Sequence, residues 1–564
     1  MKYDNELCQD DMSFEDCEMA ILRHAVDETD ILQKQKIANS DDVKNMIEIL
    51  EDFLIKKKLI CYGGTAINNI LPKYAQFYDR DVEVPDYDFF SMNALEDAKE
   101  LTDIFYAAGY LETEAKSGVH KGTYKVFVNY IPMADITQLN PVIYKSLQKE
   151  TISVAGIKYC PPNYLRMSMF LELSRPAGDV SRWEKVLKRL TLLNKHHPLK
   201  PPFNCQEIEF QRKTETISEK ASSKLYHTVR DSFIEQGVVF FGGYAASLYA
   251  RFMDKTRRRF IQNIPDFDVI SEDPERCALI VSERLEDSGF KKVVAVKQDA
   301  IDDVVPEHVQ LMVGKETLAF IFKPIACYSY NTISIGDQQV NIATIDTMLS
   351  FYLAFIYADR PYFENDRILC IAQFLFDVEQ SNRLNQKGIL KRFTVQCYGK
   401  QPTLESIRAE KAEKFKELMH KRNSPEWNAW FFKYSPNAKL EEKGKKEAKQ
   451  VEKVMKSLST TKTKSSIKAS FIDPSEKKEE SKDERKEEEE ESVVAKESKS
   501  KKSYLKSFID PRSYSKRAKS DELNTQEEES KEDKPVKKTM KKRRQNKKRT
   551  LRNIFGRKKR GYFF

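Results

Sequence analysis

The sequence predicts an α+β protein formed by tandem duplication of one unit, in which a small mixed sheet carries helices on one face. Three observations support this prediction. Short apolar strands alternate with amphipathic helices, the same landmarks occur twice in the same order, and the composition changes sharply near Ser435. We expect each copy of the unit to be followed by helices, and the second set of helices to be followed by a disordered, charged tail.

The repeated landmarks are a Gly-Gly turn after an apolar strand and a pair of aspartates further along the chain. They are LICYGGTAI at 59–67 and VPDYDFFS at 84–91 in the first copy, and VVFFGGYAA at 238–246 and IPDFDVIS at 264–271 in the second. The interval is 22 positions from Gly64 to Asp86 and 23 positions from Gly243 to Asp266. Landmarks in the same order at nearly equal spacing indicate a duplication.

Composition and cysteine content exclude several classes of protein. No stretch approaches the roughly 20 consecutive apolar residues that a membrane helix requires, and the acidic start lacks the apolar core of a signal peptide. The nine cysteines are scattered without a CxxC pair, which argues against a zinc ribbon or a disulfide framework. We therefore expect free thiols in a reducing intracellular compartment and no contact with a membrane.

The net charge of +9 is concentrated near the C-terminal end of the chain. Fourteen Lys and Arg residues and no Asp or Glu lie between Lys537 and Arg560, so the rest of the chain is slightly acidic. Bulk charge therefore does not predict nucleic-acid binding by the folded part, and such a function must depend on a local site.

Three aspartates of the first copy are predicted to share one face of its sheet. The amphipathic run 45–58 predicts a helix before the apolar strand. Because side chains alternate along a strand, Asp86 and Asp88 should point the same way, and Asp135 on a later strand can join them. Carboxylates are hard ligands suited to Mg²⁺ or Mn²⁺, and two such ions can clamp the attacking and leaving oxygens of a phosphoryl transfer.

A glycine turn completes this predicted site. Gly63 and Gly64 allow backbone N–H groups to approach phosphates, and the helix expected to start near Thr65 points its positive end at them. A lone glycine pair is usually a turn and a lone Asp pair usually a solvated strand end, so the prediction depends on their combination. That combination predicts nucleotidyl transfer from a nucleoside triphosphate.

The order of two glycines, an Asp-x-Asp pair and a third Asp after an apolar strand resembles the DNA polymerase β-like nucleotidyltransferases. Within that superfamily, the two-copy layout over about residues 45–430 resembles the poly(A) polymerase catalytic subunits of large cytoplasmic DNA viruses, the poxvirus, asfarvirus and mimivirus group. Both copies depart from the commonest superfamily pattern, since the interval between the glycines and the Asp pair is longer.

The resemblance implies a reaction and a set of site residues. The reaction is template-independent addition of AMP from ATP to the 3′ end of viral mRNA, with two Mg²⁺ or Mn²⁺ ions and release of pyrophosphate. Base choice cannot be deduced from the motifs, so a uridylyl-, CCA-adding or oligoadenylate synthetase-type enzyme and an inactive RNA-binding scaffold remain alternatives. The implied residues are Gly63, Gly64 and Thr65 for the triphosphate, and Asp86, Asp88 and Asp135 for catalysis and metal binding.

The second copy is predicted to lack catalysis. It keeps Gly242, Gly243, Asp266 and Asp268, but the alignment of FVNYIPMADI with FIFKPIACYS places Cys327 at the position of Asp135. A thiol does not replace a hard carboxylate as a ligand for Mg²⁺. We therefore expect a structural domain here, with a regulatory nucleotide site as the alternative.

The predicted organisation has six parts. They are an N-terminal helical segment 1–44, a catalytic nucleotidyltransferase domain 45–150, a helical connector 151–205, a degenerate nucleotidyltransferase-like domain 206–345, a C-terminal helical segment 346–436 and a disordered tail 437–564 with a basic end. The tail contains SFIDP twice, either as a low-complexity duplication or as a repeated docking peptide.

The expected partners are the RNA 3′ end and ATP, with a processivity subunit or self-association as a homodimer left open and no membrane. Candidate RNA contacts are KTRRR at 255–259, the basic amphipathic helix in 183–200 and the basic end of the tail. A solvated face is the alternative for the first two, and a nuclear import signal or a solubilising run is the alternative for the third. The resemblance implies a location in the host cytoplasm at the site of viral replication, and packaging in the virion is left open.

Overall fold

The fold is described for most of the chain up to residue 437. The computed structural model describes residues 7–8, 11–80, 83–205, 208, 210, 212, 219–253 and 266–437. The predicted tail beyond its first residue, with both SFIDP segments and the basic end, lies outside the described residues, as does the KTRRR segment.

The first sheet contains seven strands of the first copy and one short strand from far along the chain. The seven strands are β1 (Ile60–Tyr62), β2 (Tyr87–Ser91), β3 (Thr113–Ser117), β4 (Thr123–Val128), β5 (Ile131–Gln138), β6 (Ile152–Val154) and β7 (Ile157–Tyr159). Lys433–Tyr434, which is β16 in chain order, pairs with β3. The order across the sheet is β16-β3-β4-β5-β2-β1-β7-β6, and β2 is parallel to β5.

Seven helices accompany this sheet. They are α1 (Phe14–Ala38), α2 (Asp41–Lys57), α3 (Gly63–Ile70), α4 (Ala94–Ala107), α5 (Pro141–Lys149), α6 (Pro162–Leu173) and α7 (Trp183–His196). The apolar face of α2 is buried against the sheet, as the amphipathic run predicts, and the residue that follows the helix, Lys58, has a left-handed conformation. Lys57 fixes α2 to α4 through ion pairs of 2.9 Å to Asp97 and 2.8 Å to Glu100.

The second sheet also has eight strands. They are β8 (Val239–Phe240), β9 (Phe267–Ile270), β10 (Val293–Gln298), β11 (His308–Val313), β12 (Glu316–Phe322), β13 (Tyr328–Ile335), β14 (Gln338–Ala343) and β15 (Cys397–Tyr398). Their order is β10-β11-β12-β9-β8-β14-β13-β15, and β9 is parallel to β12.

Seven more helices lie in the second half of the described chain. They are α8 (Glu219–Glu235), α9 (Gly243–Tyr249), α10 (Pro274–Asp287), α11 (Ile345–Phe355), α12 (Asn365–Asn382), α13 (Leu404–Leu418) and α14 (Pro425–Phe431). Helices α6 and α11, which follow the two sheets, pack against each other. Their junction includes an edge-to-face contact between Tyr164 and Tyr357, whose ring centroids are 5.3 Å apart.

The two sheets confirm the predicted duplication. When the edge strands β15 and β16 are set aside, the orders β3-β4-β5-β2-β1-β7-β6 and β10-β11-β12-β9-β8-β14-β13 correspond strand for strand. The range 151–205, predicted as a helical connector, contains β6 and β7 as well as α6 and α7, and both strands complete the first sheet.

The cysteines differ from the prediction of free thiols. Three disulfides join Cys8 to Cys17, Cys205 to Cys370 and Cys327 to Cys397, while Cys61, Cys160 and Cys277 are free and buried. Sequence spacing did not reveal the two long-range pairs because their partners lie 165 and 70 positions apart and meet only in the folded chain. Among the described helices, none is long and apolar enough to cross a membrane.

Candidate active site

Asp88 of strand β2 and Asp86 just before it lie on the face of the first sheet opposite to Tyr87 and Phe89. Tyr87 and Phe89 are fully buried, whereas Asp88 is half-buried and Asp86, just before the strand, is exposed. The Tyr87 hydroxyl donates a hydrogen bond to Glu51 of α2, which fixes the register of the strand against that helix. The alternation of side chains therefore directs Asp86 and Asp88 to one face, as predicted.

Asp135 of β5 lies beside Asp88 on the neighbouring parallel strand. Asp88 and Asp135 are direct partners in the register of β2 and β5, so their side chains share one face of the sheet. Lys125 of β4 is the partner of Asp135 on its other side, and its ammonium group donates to the Asp135 carboxylate. The lysine thus holds one oxygen of the third aspartate.

The three carboxylates influence one another electrostatically. The pKa of Asp88 is raised to about 7, first by burial and then by the negative charges of Asp86 and Asp135. The pKa of Asp86 is also raised, first by loss of hydration and then by Asp135. The sheet therefore holds negative charge that a bound cation would stabilise.

The side chains fit a divalent cation in their chemistry but do not form a closed cage. No group of three acidic, histidine or cysteine residues in the described part of the chain is arranged to hold a metal ion. Asp135 is paired with Lys125, so the carboxylates of Asp86 and Asp88 are the ones more readily available to a cation. Hard oxygen donors of this kind are the ligands that Mg²⁺ and Mn²⁺ prefer.

The glycine turn lies directly against these aspartates. Gly63 has a φ of +73°, and a β-carbon on it would lie 2.6 Å from Oδ2 of Asp88. A β-carbon on Gly64 would lie 2.5 Å from the Tyr78 hydroxyl. Thr65 is buried, and its hydroxyl donates a 2.6 Å hydrogen bond to the backbone oxygen of Asp86, so it ties the turn to the aspartate strand.

Helix α7 adds cations that the motif analysis did not include in the site. The guanidinium of Arg189 donates a 2.6 Å hydrogen bond to the Tyr78 hydroxyl, and its Nη1 would lie 2.9 Å from a β-carbon on Gly64. The pKa of Lys185 is lowered, first by partial burial and then by the charges of Arg189 and Arg182. The spacing of Arg182, Lys185 and Arg189 at three and four positions is the signal in the sequence that all three share one helix face.

The second copy has the same turn and the same Asp pair but a different environment. Arg212 forms ion pairs of 3.0 Å to Asp266 and 2.9 Å to Asp268, and both aspartates are buried. The residue beside Asp268 in the register of β9 and β12 is Phe320. The expected equivalence of Cys327 with Asp135 is therefore wrong: Cys327 follows β12 and is joined to Cys397.

Two mixed sheets with one strand order, each with a glycine turn beside an Asp pair, define the chain as a duplicated α+β fold. Residues 48–179 match the family model of the poly(A) polymerase catalytic subunit. The matched range contains the glycine turn and all three aspartates of the first copy. The family match confirms the resemblance to poly(A) polymerase catalytic subunits that was drawn from the sequence.

Individual proteins agree with this match. A protein of African swine fever virus (isolate Tick/Malawi/Lil 20-1/1983), named as a poly(A) polymerase catalytic subunit, is 30% identical over 215 residues, covering 36% of this chain and 44% of its own length. One from Acanthamoeba polyphaga mimivirus, named in the same way, is 29% identical over 253 residues, covering 40% of this chain and 41% of its own length. The chain thus spans less than half the length of these curated relatives.

A solved structure supports the fold over a longer range. The Megavirus polyadenylate synthase superposes with a TM-score of 0.64 at 19% identity, covering 78% of this chain and 90% of that one. The similarity extends well beyond the family match and confirms the predicted α+β architecture.

Proposed function

We propose that the protein is a polynucleotide adenylyltransferase that adds AMP from ATP to the 3′ end of RNA without a template. The observation that carries the proposal is the placement of Asp86, Asp88 and Asp135 on one sheet face beside the glycine turn. The family match over 48–179 supports the choice of reaction because it covers all of these residues.

In this proposal each residue of the site has a defined task. Asp86 and Asp88 would hold divalent cations, and Asp135 would join them by exchanging its bond to Lys125. Two bound Mg²⁺ or Mn²⁺ ions would supply Lewis-acid chemistry to the attacking hydroxyl and the leaving pyrophosphate. The Lys125 ammonium orients the Asp135 carboxylate until then.

The triphosphate would lie between the glycine turn and α7. The backbone N–H groups of the glycine turn would donate to phosphate oxygens, and the N-terminus of α3 points a positive dipole towards them. Lys185 and Arg189 would neutralise the charge that grows on the leaving pyrophosphate. Thr65 would contribute mainly by holding the turn, since its hydroxyl proton is already donated to Asp86.

Further parts of the proposal concern the setting of the reaction. The relatives come from large DNA viruses, which supports viral mRNA as substrate and the host cytoplasm as location. Their printed name, catalytic subunit, supports a partner that confers processivity, with a homodimer as the other arrangement to test.

Base choice is tested by incubating the full chain with a short RNA, Mg²⁺ or Mn²⁺, and each nucleoside triphosphate separately. Long ladders with ATP alone are expected. Ladders with UTP, or extension that stops after three nucleotides, would indicate another terminal nucleotidyltransferase. No extension under any condition would favour the RNA-binding scaffold.

The assignment of the active copy is tested by a matched pair of substitutions. Asp135→Ala is expected to reduce the tailing rate by about 100-fold or more, because it removes a carboxylate worth several kcal/mol of transition-state stabilisation. Asp266→Ala should leave most of the tailing rate in the protein that folds. Equal loss of tailing in both variants, with unchanged circular dichroism, would contradict the proposal that the first copy is active.

A further inference from the structure

In the second copy an arginine side chain of the same chain forms ion pairs with both aspartates of the Asp pair. The guanidinium of Arg212 contacts Asp266 through Nε and Asp268 through Nη2, and Nη2 also donates a 3.1 Å hydrogen bond to the backbone oxygen of Phe267. In the first copy, no arginine among the described residues forms an ion pair with Asp86 or Asp88, and Asp86 is exposed. The carboxylates of the second copy are only 8% and 6% exposed.

The third position of this site has also changed. Phe320 occupies the place beside Asp268 that Asp135 occupies beside Asp88. The Arg212 guanidinium lies 4.7 Å from the centroid of the Phe320 ring, within the range of a cation–π contact. An apolar ring at this position stabilises a flat organic cation and offers no oxygen to a metal ion.

The glycine turn of the second copy is filled by its own aspartates. Any β-carbon on Gly243 would collide with Oδ1 of Asp266, and one on Gly242 would lie 2.5 Å from Asp268. The equivalent Gly64 instead faces Tyr78 and Arg189 of the first copy. The space that a phosphate would need beside the turn is therefore taken up by Asp266.

We propose that Arg212 is a built-in counter-ion that occupies the place of a divalent cation in the second copy and closes this site to metal ions and triphosphates. One guanidinium forms both ion pairs and the ring contact, so a metal ion would have to displace it and leave a buried arginine unpaired. The two aspartates then serve to fasten Arg212 to the second sheet. This inference does not depend on the activity proposed for the first copy.

The first test measures Mn²⁺ binding by electron paramagnetic resonance. The full chain carries Asp86→Asn and Asp88→Asn, so that the first copy does not contribute its own site. With Arg212 intact, we expect this protein to bind no more Mn²⁺ than a control that also carries Asp266→Asn and Asp268→Asn. Adding Arg212→Met and Phe320→Asp should create one new Mn²⁺ site per chain, and Asp266→Asn should abolish it.

Two results of this test would overturn the proposal. One is Mn²⁺ binding that requires Asp266 and Asp268 while Arg212 is still present. The other is a folded Arg212→Met, Phe320→Asp protein that gains no Mn²⁺ site.

A second test covers the case in which the Arg212 variants fold poorly. Arg212→Met alone should lower the melting temperature by about 10 °C, because it leaves two buried carboxylates unpaired. Adding Asp266→Asn and Asp268→Asn should restore most of that decrease, because no buried charge then remains without a partner. Melting temperatures that fall equally in both backgrounds would show that Arg212 acts through packing alone and would overturn the role as a counter-ion.

Discussion

Gly63 has two separate reasons to be glycine, and they predict different consequences. Its φ of +73° lies in the left-handed region, and a β-carbon would meet the Asp88 carboxylate at 2.6 Å. Gly63→Ala should therefore cost about 1–3 kcal/mol of stability and also displace Asp88. We expect a large loss of tailing rate. The tailing rate and the free energy of unfolding in urea are both measured for the variant.

Gly109 is the matched control for this substitution. Its φ is +100°, but in the described part of the chain no atom beyond its own chain neighbours lies within 4 Å of where its β-carbon would be. Gly109→Ala should have the backbone cost alone, with a tailing rate near that of the starting protein. If both alanine variants lost activity to the same degree, the contact between Gly63 and Asp88 would not be the cause.

Single residues also show where the sequence stops being informative. Asp86 and Asp88 could be placed on one face because alternation along a strand is a local rule. Phe320 could not be matched with Asp135 from the sequence. The two positions correspond through the hydrogen-bond register between β9 and β12, and the sequences around them are not similar enough to show it. Arg212 is not part of a recognisable sequence motif, because its partner Asp266 lies 54 positions later in the chain and the two meet only in the folded protein.

At the scale of elements, α7 has two faces with different partners. Val186, Leu190 and Leu193 are buried in the core, whereas Lys185 and Arg189 face the glycine turn and Asp86 of the first copy. The sequence predicted this basic amphipathic helix as a candidate contact for RNA, with a solvated face as the alternative. The position of Arg189 beside Gly64 favours the triphosphate instead.

This assignment predicts a change in ATP affinity. The double variant Lys185→Met, Arg189→Met should raise the KM for ATP by about 100-fold or more, because charged hydrogen bonds contribute roughly 1.5–3 kcal/mol each and two are removed. Lys188→Met is the control, since Lys188 pairs with Glu184 on the exposed side of the same helix. Weaker RNA binding with an unchanged KM for ATP would instead assign this face of α7 to RNA.

Other elements were visible in the sequence to different degrees. The run 45–58 predicts most of α2, and LICY and PDYDFF predict β1 and β2, since each has strong local periodicity. The strand β16 has only two residues and acquires its structure by pairing with β3. No local pattern marks a segment of this kind, because its strand geometry comes from a partner more than 300 positions earlier in the chain.

At the scale of the whole molecule, the last described part of the chain returns to the first sheet. Beyond the pairing of β16 with β3, the Ser117 hydroxyl donates a 2.7 Å hydrogen bond to the backbone oxygen of Trp430. Phe432 is 7% exposed and makes an edge-to-face contact with Tyr124 of β4, with ring centroids 5.6 Å apart. The segment containing α13, α14 and β16 thus covers the β3 edge of the first sheet, the sheet in which β5 carries Asp135.

Two truncations separate this structural segment from the charged tail. A chain ending at residue 437 keeps β16 and Phe432, so we expect its melting temperature and tailing turnover to stay nearly unchanged. It lacks the fourteen basic residues between Lys537 and Arg560, so its RNA affinity should fall at low salt. The plot of log affinity against log salt should become shallower, by about 0.7 for each RNA phosphate that the tail would otherwise neutralise.

A chain ending at residue 402 should behave differently, because it also removes α13, α14 and β16. It exposes the edge of β3 and the ring of Tyr124, which Phe432 contacts in the longer chain. Exposed edge strands promote aggregation, so we expect a lower melting temperature and a smaller yield of soluble protein. Both truncated proteins are compared by calorimetry and by salt titration of RNA binding. An unchanged salt dependence in the chain ending at 437 would contradict RNA binding by the tail. An unchanged melting temperature in the chain ending at 402 would contradict the structural role of β16.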